Sequence, residues 1–140
     1  MLRLLASFIL LATLLVLPKA QGAVGDIFTI GELRYTVLTE EPATQTVTVS
    51  VQSRFTGISG DIEIPASVIN GGIDYSVVLI PSSAFLSCSS LTSITIPDSV
   101  TSIGYNAFRY CTSLTSVYFE GNAPALQDVH AFFAPAVIYY

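Results

Sequence analysis

Positive charge is scarce in this chain. Its 140 residues carry five Lys and Arg against ten Asp and Glu, and a single His. So few cations cannot neutralise a run of phosphates, which excludes nucleic acid as a partner. Attraction to anionic lipid is excluded for the same reason. Trp is absent, Met occurs once and Cys twice. Two Cys and one distant His do not make a zinc set, so no metal and no cofactor is expected. There is no G-x-S-x-G elbow and no Gly-rich phosphate loop. Ser is plentiful, but His130 falls in a loop position before a Phe, with nothing to mark it as a catalytic base. The carboxylates occur as Glu40-Glu41 and as scattered singles, with no opposed pair of the kind that splits a glycosidic bond. No catalytic residue is therefore expected, and the chain reads as non-enzymatic.

What the chain does have is apolar residues, 51% of the total, with only 11% charged. That composition fits a packed core and is too apolar for disorder. Part of the excess lies at the start. Arg3 precedes an apolar run from Leu4 to Leu17, Pro18 ends it, and small residues follow at Ala20, Gly22 and Ala23. This is the pattern of an export leader over residues 1–22, cut after Gly22 or, alternatively, after Ala23. The run is shorter than the roughly 20 residues a spanning helix needs, and no second one approaches that length. Once the leader is gone, no membrane insertion is expected. The mature chain keeps Arg34, Arg54 and Arg109 against ten carboxylates, a net charge of −7.

The rest of the chain is organised by a repeat. Residues 76–96 read SVVLIPSSAFLSCSSLTSITI and residues 99–119 read SVTSIGYNAFRYCTSLTSVYF. Val77 and Val100, Ile80 and Ile103, Phe85 and Phe108, Cys88 and Cys111, Leu91 and Leu114 are each 23 residues apart. The apolar positions coincide while the spacers vary. A stack of turns produces that pattern, with inward positions constrained and outward ones free. Upstream, Ile62, Ile64 and Val68 echo the motif, and Asn70-Gly71 is a hairpin signal inside an insertion. Downstream, Leu126 falls 23 after Ile103, and Ala131-Phe132 echoes Ala107-Phe108 with one extra residue. Val137 to Tyr140 reads as a last strand. Residues 23–56 lack the repeat and alternate like antiparallel β, with Gly31-Glu32 as a hairpin turn. A stack needs its open end closed, so residues 23–56 are expected to form an N-terminal cap, ahead of repeats over residues 57–140.

The run IPDSVTSIGYNAFRYCTSLTSVYF, residues 96–119, resembles the BspA-like leucine-rich-repeat family of bacterial secreted and surface proteins. LRYTVL and GDIEIPASV resemble the family's opening, and EGNAPAL and AVIYY its closing segments. The resemblance implies a mainly β fold, a short right-handed solenoid. It also implies adhesion or protein–protein binding at a cell surface or after secretion. The array is short for that family, with two full repeats and partial ones on either side. It reaches Tyr140 without a sorting signal, and a truncated gene product is one reading of that.

Within the repeat, Phe85, Phe108 and Phe132 are expected to stack in the interior with Leu91 and Leu114. Cys88 and Cys111 occupy equivalent positions in adjacent turns. Strands about 4.8 Å apart bring them within disulfide range. Equivalent side chains nevertheless point in parallel, a poor match for the disulfide torsion. Two buried thiols are the favoured reading and a disulfide the alternative. In each Ile-x-Ile strand the middle residue points outward. Glu63, Thr95, Tyr118 and Ile138 are therefore expected to form one exposed row, with Tyr105 and Tyr110 in variable positions nearby. Tyr offers large contact area at low entropy cost, which makes Tyr118 the expected anchor. The expected function is a secreted or surface-exposed module that binds an unknown protein or cell-surface ligand. A scaffold that associates with itself is the alternative, and a small exported hydrolase is a remote third.

Overall fold

In a computed structural model of the chain, residues 22–39, 46–51, 58–127, 131–132 and 136–140 are described. The expected leader up to Gln21, the pair Glu40-Glu41 and His130 lie outside the described residues. The strands are β1 (Ile27–Ile30), β2 (Leu33–Val37), β3 (Thr46–Val51), β4 (Ser59–Glu63), β5 (Ser67–Asn70) and β6 (Ile73–Ile80). They continue as β7 (Ser90–Ile96), β8 (Ser102–Ile103), β9 (Ser116–Phe119), β10 (Ala125–Leu126) and β11 (Val137–Tyr139). No helix occurs among the described residues, so none there is long and apolar enough to cross a membrane.

The strands form two sheets, one of seven strands and one of four. The larger runs β1-β2-β3-β6-β8-β10, with β5 paired to β6. The smaller runs β11-β9-β7-β4. Pairing from β3 through β10 and throughout the smaller sheet is parallel, with the β5–β6 hairpin as the exception. From β6 onward the chain alternates between the sheets, so each turn of the solenoid there adds one strand to each. The register is the repeat made visible. Leu79 pairs with Ser102 and Ser102 with Ala125; Ile94 pairs with Val117.

Turns between the sheets are tied to one another as well. The amides of Ser83, Phe85 and Ser87 donate to the carbonyls of Tyr105, Ala107 and Arg109 at 2.9, 2.8 and 2.8 Å. Phe108 continues this ladder, donating to Ala131 at 2.8 Å. Ser83 and Asn106 adopt left-handed backbone at φ 61° and 55°, and so do Ser87 and Tyr110 at φ 63° each. These are equivalent positions in successive turns. The unusual conformation at Tyr110 is therefore a property of the repeat's turn and not a strain peculiar to one site.

The interior is the column of matched apolar positions. Phe85 and Phe108 are fully buried, their rings stacked at 5.0 Å and 14°. Phe132, partly buried, stacks on Phe108 at 4.9 Å and 6°. Leu91 and Leu114 lie in the same core. Cys88 and Cys111 are both buried and both free. The Cys111 thiol donates to the Phe85 carbonyl one turn back, at 3.0 Å. Its contact with Cys88, and then its burial, hold that thiol above its ordinary range.

One expectation shifts in detail. The hairpin turn of the insertion is Gly71-Gly72, one residue later than Asn70-Gly71, because Asn70 pairs with Ile73 as the last rung. Both glycines have positive φ, 61° and 83°, which suits the tight turn. At the N-terminal end, β1 and β2 are antiparallel, with the 31–32 turn between them as expected. The strand β3 pairs antiparallel with β2 and parallel with β6, joining the hairpin to the stack. Tyr35 of β2 is 1% exposed and stacks on Phe28 at 5.3 Å; burial pushes its phenol up to about 12.

Candidate binding face

The four-stranded sheet has one buried face and one open face, as period-two alternation requires. Ile94, Ile96 and Val117 are fully buried, and Phe119 is nearly so. Between them, the register aligns Glu63 with Thr95 and Thr95 with Tyr118. The next partner of Tyr118 is Tyr139, in contrast to the expected Ile138. Ile138 pairs with Val117 and so belongs to the inward row; it is 39% exposed because β11 is the last described strand of its sheet. Its place in the outward row passes to Tyr139.

The Tyr118 and Tyr139 rings stack at 4.8 Å and 14° while remaining 41% and 45% exposed. Two rings held this way are rigid and still open to a partner. The ladder's backbone bonds fix the strands, and each ring limits the other's rotation. One step along the strands lies a second row, Asp61, Ser93, Ser116 and Val137. Asp61 accepts from the Ser93 and Thr92 hydroxyls, each at 2.7 Å, and these bonds hold its exposed carboxyl below the ordinary carboxylate range. The open face is therefore acidic toward β4 and aromatic toward β9 and β11.

Tyr105 and Tyr110 are 55% and 46% exposed, but they sit on the turn between β8 and β9 and not on the strands. The Arg109 guanidinium lies 4.7 Å over the Tyr110 ring, a cation–π contact that steadies this turn. Among the described residues no three His, Cys, Asp or Glu side chains come together as a metal cage. Sequence reasoning missed Tyr139 and the Asp61 bonds. A signal for the first was present, since Tyr139-Tyr140 repeats the aromatic doublet Tyr118-Phe119, and Tyr140 stacks on Phe119 at 5.6 Å.

Residues 61–133 match the BspA type leucine-rich repeat region, in six copies. The chain belongs to the BspA-type leucine-rich-repeat family. Solved structures agree with this membership. A leucine-rich repeat protein from Bacteroides capillosus is 31% identical, with a TM-score of 0.54 over 66% of this chain and 70% of that one. A leucine-rich cell surface protein from Faecalibacterium prausnitzii is 35% identical, with a TM-score of 0.57 over 71% of this chain. A leucine-rich repeat protein from Bacteroides ovatus is 31% identical, with a TM-score of 0.53 over 69% of this chain. The chain spans 25% and 23% of those last two proteins, so it corresponds to about a quarter of each. No curated protein matches it. The leucine-rich-repeat architecture accounts for the parallel registers.

Proposed function

We propose that this chain is an exported, non-catalytic binding module that holds a protein or cell-surface ligand against the open face of its four-stranded sheet. The observation that carries the reading is the Tyr118–Tyr139 pair, stacked, exposed and seated on parallel strands. Aromatic residues on a rigid scaffold concentrate binding energy, since they bring area and lose little entropy. A relative named as a cell surface protein supports an extracellular setting. The leader over residues 1–22, the cap over residues 23–56 and the repeats over residues 57–140 complete the proposed organisation.

The test is retention of surface-extract proteins on immobilised mature chain, repeated with Tyr118→Ala and Tyr139→Ala. Loss of a centrally buried aromatic anchor costs about 2 kcal/mol or more, some thirtyfold in affinity. Each variant is expected to lose the retained partner while melting within a few degrees of the parent. A partner held equally well by both variants would remove this face from the function. A second reading, a self-associating scaffold, draws on the exposed apolar residues of the outermost described strands, Leu126 of β10 and Val137 and Ile138 of β11. Molar mass in solution separates the two, and a strict monomer sinks the scaffold.

A further inference from the structure

The segment where the leader is expected to end is already fastened to the fold. The Ala23 amide donates to Asp26 Oδ2 at 3.1 Å, and the Asp26 amide donates back to the Ala23 carbonyl at 2.8 Å. This turn is tied to β2 from both sides. Gly25 donates to the Val37 carbonyl and Val37 donates to the Asp26 carbonyl, each at 2.9 Å. The carboxylate is thus aimed at the nitrogen of Ala23 by backbone bonds, with both residues partly buried.

A second observation points to the same spot. Tyr75 is 0% exposed, and its hydroxyl has no hydrogen-bond partner. That hydroxyl faces Gly22. A side chain placed at residue 22 would collide with it and would also press on Ile73 Cδ1 at 3.3 Å. A buried hydroxyl left unpaired is costly, and native folds seldom leave one so. In the uncut chain Gly22 covers it and satisfies nothing.

We infer that cleavage falls between Gly22 and Ala23, and that the α-ammonium freed on Ala23 pairs with the Asp26 carboxylate and donates to the Tyr75 hydroxyl. Hydrolysis of that one peptide bond adds water across it, leaving a carboxylate on Gly22 and an amine on Ala23. The amine takes a proton from solvent and gains two further N–H donors. One N–H keeps the bond to Asp26, now between charges and correspondingly stronger. Another turns into the space that Gly22 vacated, above Tyr75. A cut after Ala23 would discard the very nitrogen that Asp26 holds. This inference rests on the export reading and sharpens it, since sequence alone left both cuts open.

Lys19 is the only Lys, so a chain beginning at Ala23 has one primary amine, its own N-terminus. An amine-directed acylating reagent therefore reports that group without background. The full chain is secreted from an exporting host, and its intact mass gives the first residue. Labelling rates at pH 7 are then compared for the parent, Asp26→Asn and Tyr75→Phe. The mass is expected to place Ala23 first. Labelling of the folded parent should be about tenfold slower than that of Asp26→Asn, because the pairing holds the amine protonated; tenfold is one unit of pKa. Tyr75→Phe should fall between. If a variant fails to fold, the parent in denaturant supplies the fast reference. A leaderless chain beginning at Val24, or anywhere but Ala23, overturns the inference and leaves export standing. A chain still beginning at Met1 overturns both. An Ala23 start with equal rates in parent and Asp26→Asn overturns the pairing.

Discussion

Replacing Phe108 with Ala should remove about 3–5 kcal/mol of stability. Phe108 is fully buried between two parallel rings, Phe85 at 5.0 Å and Phe132 at 4.9 Å. Both of its faces are in contact, so truncation strips away two stacking interactions along with the buried area. The hole cannot close easily. The turns on either side are pinned by the Phe85–Ala107 and Phe108–Ala131 backbone bonds at 2.8 Å each, which prevent the layers from sinking toward one another. A domain of this size has about 5–15 kcal/mol in total, so the variant should stand near the edge of folding. Urea titration gives the comparison, with a lower midpoint at an unchanged slope. Phe108→Leu, which refills most of the volume, should recover much of the loss. A Phe108→Ala midpoint close to the parent's would remove this ring from the column that the solenoid is built on.

Gly104→Ala should cost about 3 kcal/mol for a different reason, overpacking. Gly104 is buried and begins the turn after β8, where its amide donates to the Ile80 carbonyl at 2.8 Å. A methyl group there would collide with the Ser82 amide nitrogen and approach the Pro81 carbonyl carbon to 2.8 Å. Those atoms are backbone, and the same inter-turn bonds hold them. A flexible side chain could swing aside; a neighbouring turn cannot. Gly72→Ala supplies the contrast. Nothing lies within 4 Å of a methyl group there, and only the positive φ of 83° resists it, at about 1 kcal/mol. If thermal melts rank the two substitutions equally, close contact between turns is not what selects glycine at residue 104.

These two substitutions also show what could be read from the sequence. The Phe column was legible because the inward positions recur at 23 residues while their neighbours drift, and only a stack imposes that constraint. Gly104 carried no such sign, since its counterpart one turn earlier is Pro81 and the reason for glycine lies in the backbone of the adjacent turn. The last strand misled for a plain reason. Alternation sets register only when polar residues mark the outer face. Val137-Ile138-Tyr139-Tyr140 has none, so the run reads equally well in either phase. Hydrogen bonding chose the other phase, pairing Val137 with Ser116 at a separation of 21 instead of 23. The partner of β3 was hidden similarly. Its Thr-Val alternation announces a strand but not that one edge would meet β2 and the other β6. The Asp61 bonds depend on a register shift between Gly60 and Asp61, where Ser93 and not Thr92 becomes the partner. No local motif records that shift.

The β5–β6 hairpin has a consequence for how the molecule comes apart. The first half of β6, Ile73 to Ser76, pairs with β5; Ser76, Val77 and Leu79 pair with β3, and the last two residues pair with β8. Terminal turns can fray one layer at a time, because each touches only its neighbours. The eight residues of β6 are thus shared among three partner strands and sit away from both ends of their sheet. Amide deuterium uptake should therefore start at β10 and β11, advance inward, and reach Tyr75 and Val77 last, which makes this strand the kinetic keystone of the array.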